Sequence, residues 1–190
     1  MTAAAPTSYH PIAKLLHWAI AILLLVMVFL GEDWAKSFNS SSLNPLFWLH
    51  ATIGMAILVL SIARLGLRAM VPAPGYPPSM PAYERLGATF TKYAFYVFML
   101  GLPVTGWLLA SSNPKYQAAG VQLVFGTPLP LIPASTVSFM HDALRNVHDV
   151  GSKLIIPLIG LHVLAALKHH FWSKDDVLTR MLPFGGKIGQ

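Results

Sequence analysis

Four stretches of this chain, about residues 13–30, 46–67, 88–110 and 144–172, are apolar over lengths that carry a helix across the ~30 Å hydrocarbon core of a bilayer. No other feature restricts the fold so strongly. Backbone inside lipid must satisfy its own hydrogen bonds, and uninterrupted apolar runs of this length do so as helices. Turn-rich breaks separate the runs: Asn39-Ser40-Ser41-Ser42, residues 71–78 with four prolines, and Ser111-Ser112-Asn113-Pro114. The expected fold class is all-α, an integral membrane four-helix bundle making one domain over residues 1–190.

Composition agrees. Charged residues make up 11% of the chain and hydrophobic ones 55%, with mean hydropathy +0.58. Soluble domains carry about 25% charge, so this surface cannot be coated without lipid. The first apolar run lacks a small-residue cleavage site and is expected to remain as a span. With no cysteine, disulfides, iron–sulfur clusters, thiolate zinc sites and c-type haem attachment are excluded, which leaves eight histidines as the available soft ligands. The net charge of +6 does not point to nucleic acid, because the basic residues are not gathered on helices that could enter a groove.

Charge placement instead sets topology. If the N-terminus, the connection between spans two and three, and the C-terminus share one side, that side holds Lys14, Arg64, Arg68, Arg85, Lys92, Lys168, Lys174, Arg180 and Lys187. The other side holds only Lys36, Lys115, Arg145 and Lys153. Nine against four puts both termini in the cytoplasm by the positive-inside rule. Trp34, Trp48, Trp107 and Trp172 fall near span ends, as interfacial aromatics do. The external connection, about residues 111–143, is long enough to expect a functional role. Its Phe125-Gly126-Thr127-Pro128-Leu129-Pro130 segment predicts a structured turn, and the helix leading into span four is expected to start just after Pro133.

Histidines carry the chemistry. His17 lies at the cytoplasmic start of span one, and His50 at the external start of span two. Span four holds His148 near its external end and His162 deeper; their 14-residue separation is near four helical turns, so they share a face about 21 Å apart. The antiparallel path brings His148 level with His50, and His162 level with His17. An intramembrane histidine is costly without a partner and marks function. Bis-histidine haem ligation explains two pairs at two depths, and iron with both axial positions filled passes electrons rather than binding oxygen. Gly54 and Gly151, close to His50 and His148, would let a flat macrocycle approach. A single such histidine serves equally as an interhelical hydrogen-bond partner, and a zinc or proton-relay site would use two but would not call for two layers. His141 and His169 extend the span-four stripe. His169 and His170 either contact a quinone or pass protons at the inner face, or are solvated at the interface. Lys14, Arg64, Arg145 and Lys168 either pair with haem propionates or simply set topology.

The segments Tyr9-His10-Pro11-Ile12-Ala13-Lys14-Leu15-Leu16-His17-Trp18, Leu49-His50-Ala51-Thr52-Ile53-Gly54, Arg64-Leu65-Gly66-Leu67-Arg68, Val147-His148-Asp149, Gly160-Leu161-His162-Val163 and Lys168-His169-His170-Phe171-Trp172, followed by Leu182-Pro183, together resemble the bacterial cytochrome b561 family. The resemblance covers essentially the whole chain. It implies a four-helix, multi-pass protein of the bacterial inner membrane holding two haem b groups, with His17, His50, His148 and His162 as axial ligands. It also implies oxidation of superoxide at the external face and reduction of ubiquinone in the membrane, with Lys168 and His169 nearest the quinone. Other relatives of that kind are electron-transfer subunits for periplasmic partners or hydrogenases. Span three offers no ligand and is expected to serve packing, bent by Pro103 between Gly101 and Gly106.

Two further expectations compete. Superoxide would be drawn to Lys115, Arg145 or Lys153, although Glu32, Asp33, Asp142 and Asp149 balance the external field, so any funnel must be local. Alternatively the chain is a non-catalytic relay between the quinone and a periplasmic redox protein that docks on the loop around residues 125–133. A small transporter or metal-binding membrane protein is the reading of a different class.

Overall fold

The computed structural model describes residues 6–29 and 45–184. Lys36, Trp34, Glu32, Asp33, Lys187, the Asn39–Ser42 turn and the last residue of the first expected span lie outside the described residues. Helix α1 is Pro11–Phe29, α2 Pro45–Met70 and α3 Ala82–Ser112. A short α4, Pro114–Ala119, leads to a two-stranded hairpin in which β1 (Val121–Gln122) pairs antiparallel with β2 (Pro128–Leu129). Then α5, Ala134–Val137, passes through a 3-10 turn into α6, His141–Lys168, which ends in a π-helical turn, His169–Ser173.

Among the described residues four helices are long and apolar enough to cross a membrane, at the four expected places. The third is longer than its apolar run at both ends. It starts at Ala82, directly after Pro81, with Glu84 in a first turn whose dipole favours an acid. At the other end Ser111 and Ser112 remain helical, contrary to the expected break. Their hydroxyls donate back to the carbonyls of Trp107 (2.8 Å) and Leu109 (2.8 Å), an intrahelical use that keeps serine in the helix. The break shrinks to Asn113, whose side chain accepts from the Lys115 amide at 3.0 Å and caps α4, with Pro114 at the start. Helices α3 and α6 run through Pro103 and Pro157 without interruption.

Successive spans pack in order, α1 on α2, α2 on α3, and α3 on α6. Ile20, Ile53, Ile57 and Met99 are the buried centre of the first three. Large apolar side chains face outward along every span, among them Leu15, Val59, Phe90, Val97, Leu161 and Leu164. A bundle so covered belongs in lipid.

The two ends differ. At one end the N-terminal segment, the 71–81 connection and the C-terminal segment meet: Ser8 Oγ donates to the Arg180 carbonyl (3.2 Å), Trp18 Nε1 to the Met181 carbonyl (2.9 Å), and Arg180 Nη1 to the Gly75 carbonyl (2.7 Å). This is the terminal end. At the other, residues 113–140 form a cap. Gln117 Nε2 donates to the carbonyls of Ser111 (2.9 Å) and Ile132 (2.6 Å), Trp107 Nε1 donates to Pro130 (2.7 Å), and the Val124 amide donates to Thr52 Oγ1 (2.8 Å). Tyr116 stacks on Phe47 of α2 at 4.8 Å. The hairpin turns through Phe125 and Gly126, both with positive φ (70° and 75°). The expected structured turn is present, and α5 begins directly after Pro133.

Candidate haem-binding site

Four histidines meet as two pairs, one toward each end of the bundle. His17, in the second turn of α1, faces His162 of α6 with ring centroids 6.1 Å apart and planes at 70°. His50 of α2 faces His148 of α6, also at 6.1 Å, with planes at 65°. Both levels are set by α6, because His148 and His162 lie near four whole turns apart on it. Helix α6 packs along α3; toward α1 and α2 it is the histidine rings that reach across.

The spacing is chemically specific. A nitrogen-bound imidazole sits ~2 Å from its metal, which puts the ring centre ~3 Å away, so two imidazoles sharing one metal have centres ~6 Å apart. Both pairs meet this. Zinc takes three or four protein ligands, yet among the described residues no group of three His, Cys, Asp or Glu side chains is placed to hold a metal ion. Two axial nitrogens per metal is the donor set for an iron whose other four ligands come from a macrocycle. Room for one is consistent with Gly54, one turn from His50: a Cβ there would meet no atom outside its own helix backbone within 4 Å.

His148 is the most constrained of the four. Its Nδ1 lies 3.1 Å from the Leu102 carbonyl and 3.2 Å from Thr105 Oγ1, while Thr105 donates to the same carbonyl at 3.0 Å. A carbonyl only accepts, so Nδ1 carries the ring proton and Nε2 presents its lone pair, the tautomer a metal ligand needs. Gly106 admits this ring: a Cβ there would stand 2.9 Å from His148 Cε1. Span three therefore does more than pack. It supplies the carbonyl, the hydroxyl and the clearance that orient a histidine on its neighbour. Thr105 and Leu102 escaped sequence reasoning and Gly106 was expected only to serve packing; the sign available was a Thr-Gly pair just after a mid-span proline.

Other expected residues take varied places. Gly151 faces α3 instead, where a Cβ would stand 2.7 Å from Leu102 Cδ2, so close packing of α3 and α6 accounts for that glycine. Arg64 of α2 lies within electrostatic reach of both His17 and His162. Lys14 is buried one turn before His17. Phe95 of α3 meets His162 edge-on at 5.2 Å. Arg145 is exposed and lies 4.0 Å from Asp149 at (i, i+4). Lys168 pairs with Glu84 of α3 at 2.5 Å, and His169 sits between Glu84 and Asp175. Glu84 and Asp175 were also missed, because each reads in sequence as a solvated charge. At the loop end His141 Nδ1 is 2.7 Å from Ser112 Oγ.

Comparison with known proteins settles the family. Residues 8–184 match the family described as prokaryotic cytochrome b561. The chain belongs to that family. It is similar to cytochrome b561 homolog 2 of Escherichia coli, 30% identical over 179 residues that cover 93% of this chain and 92% of that protein. A second relative, named probable superoxide oxidase CybB, from Yersinia pestis, is 30% identical over 171 residues, 88% of this chain and 92% of the relative. Cytochrome b562 of Cereibacter sphaeroides is 26% identical over 175 residues, 88% and 90% of the two chains. As a b561 cytochrome the protein is a multi-pass component of the bacterial inner membrane, binds b haem and transfers electrons across the membrane.

Proposed function

We propose that this b561 cytochrome oxidises superoxide at the periplasmic face and reduces ubiquinone in the membrane, with both termini in the cytoplasm. The observation that carries the reading is the two histidine pairs, each at 6.1 Å, one toward each end of the bundle. His17 with His162, and His50 with His148, would hold two b haems. Bound there, the haems supply one-electron carriers without an open coordination position. Two superoxide anions each give up one electron and leave as dioxygen; one quinone gains two electrons and two protons and leaves as quinol.

The chain's own residues divide the remaining work. Leu102, Thr105 and Gly106 fix the His148 ring. Arg64, within electrostatic reach of both terminal-end histidines, would pair with an anionic propionate there, and Lys14, one turn before His17, would be the second cation. At the loop end Lys115, Arg145 and Lys153 supply local positive charge, Arg145 the least of them because Asp149 offsets it. Lys168 and His169 lie at the terminal end, beside the quinone. The family relative named for superoxide oxidation supports the donor.

A second reading is favoured by the cap. Phe125 at the hairpin tip is fully exposed and Phe139 is 82% exposed, an apolar outer surface that suits a docked periplasmic redox protein. In that case the chain is a relay between quinone and partner. Rapid mixing of the oxidised holoprotein with superoxide, followed by haem absorbance with and without soluble ubiquinone, separates the two. Fast reduction, reversed by quinone, supports superoxide oxidation; slow reduction in a fully loaded sample overturns it in favour of the relay.

A further inference from the structure

We infer that Asp175, His169 and Glu84 form a proton path that carries protons from water at the terminal end to the quinone being reduced. The inference rests on the quinone reading above and deepens it. Quinone reduction consumes two protons within or at the edge of lipid, where water is scarce, so the protein has to supply them.

His169 is the only one of the four histidines in the α6 stripe (His141, His148, His162, His169) held between two carboxylates among the described residues. Its side chain is 8% exposed, with Glu84 at 15% and Asp175 at 10%. On one side Nδ1 lies 2.6 Å from Asp175 Oδ2, a short hydrogen bond. On the other, Nε2 lies 3.4 Å from Glu84 Oε2, too long for a well-formed hydrogen bond, and that oxygen is buried with no closer partner. The three groups come from three segments: Glu84 from the start of α3, His169 from the end of α6, and Asp175 from the irregular C-terminal segment. Asp175 is fixed in turn by the Val177 amide, 3.1 Å from Oδ1, and by its own amide donating to the His169 carbonyl at 3.2 Å.

An imidazole between two carboxylates accepts on one nitrogen and releases from the other. A proton leaves Asp175 Oδ2 for His169 Nδ1, and the Nε2 proton leaves for Glu84 Oε2. Glu84 then hands it to a quinone oxygen, Asp175 is reprotonated from water, and the ring returns by exchange of its N–H. Each passage moves one proton, so two passages complete one quinol. The groups facing this path are Tyr83 and Glu84 from α3, Lys168 from α6 and Asp175 from the C-terminal segment. Lys168, on Glu84 Oε1, keeps Glu84 anionic between deliveries, while Oε2 faces the histidine.

The test uses detergent-purified holoprotein reduced with a limiting amount of dithionite and mixed with soluble ubiquinone at pH 6 to 9, following haem reoxidation. His169→Gln and Glu84→Gln are expected to slow reoxidation at least ~10-fold, within the range for loss of a positioned proton donor, and most at high pH. Asp175→Asn should slow it less and shift the pH profile, with haem content unchanged in all three. Wild-type rates and an unshifted pH profile in His169→Gln and Glu84→Gln would overturn the path while leaving quinone as acceptor. A wild-type protein that quinone does not reoxidise would overturn the quinone reading, and the path with it.

Discussion

His148 Nδ1 lies 3.1 Å from the Leu102 carbonyl, so a histidine on one span takes its orientation and its tautomer from the backbone of another. Thr105 lies 3.2 Å from the same nitrogen and Gly106 leaves room for the ring. Gly106→Ala forces a Cβ to within 2.9 Å of Cε1, an overpacking cost of roughly 1–3 kcal/mol unless the ring moves. The expected result is loss of the loop-end haem with the other retained. Thr105→Val leaves the carbonyl in place and should speed haem loss to an apo-acceptor protein by about tenfold, the low end for an orienting partner. Unchanged haem content and release in both variants would show that span three does not orient His148.

Replacing Lys115 and Lys153 together by glutamine should slow haem reduction by superoxide several-fold at low salt, and by less at 0.5 M salt, where the Debye length falls below ~5 Å. Arg145→Gln alone should have the smaller effect, because Asp149 lies 4.0 Å away. Equal rates at low salt for all variants would remove local steering from the account.

The chain has no cysteine, so single cysteines can report topology without background. Ala118→Cys in the cap and Ser79→Cys in the 71–81 connection are both at exposed positions. In intact spheroplasts an impermeant maleimide should label the first and spare the second. The reverse pattern would invert the orientation drawn from nine basic residues against four.

Gln117 ties the cap together through two donated hydrogen bonds, to Ser111 and Ile132. Gln117→Leu strands both carbonyls and should destabilise the cap by about 1–3 kcal/mol. Limited proteolysis from the outer face should then cut within residues 120–133 faster than in the parent, with haem absorbance unchanged. Equal cutting would mean that the cap is held by Tyr116 on Phe47 and Trp107 on Pro130 instead.

The sequence made the spans legible because lipid leaves a helix as the only economical choice, and histidine spacing on α6 made the two levels legible because 14 residues return to one face. It did not disclose how far α3 runs beyond its apolar stretch, since a helix keeps its hydrogen bonds after it leaves lipid and the start at Ala82 lies among charged residues. Ser111 and Ser112 read as a break because serine competes for backbone in turns; here the same hydroxyls bond back within the helix. What orients His148 was hidden for a different reason. A carbonyl leaves no mark in a sequence, and Thr105 and Gly106 acquire meaning only once α3 is seen against α6. Glu84 was hidden by distance along the chain, 85 residues from His169, and Asp175, only 6 residues away, because it reads as a solvated charge.

The central claim, two haems held by two histidine pairs at opposite ends, is tested most directly by the haem-to-protein ratio of purified wild type and of His→Ala variants, measured by pyridine haemochrome. The account predicts two haem b per chain in the wild type, one in His17→Ala or His162→Ala, one in His50→Ala or His148→Ala, and none when one histidine is removed from each pair. A ratio of one in the wild type, or both haems retained after His148→Ala and His162→Ala together, would contradict it.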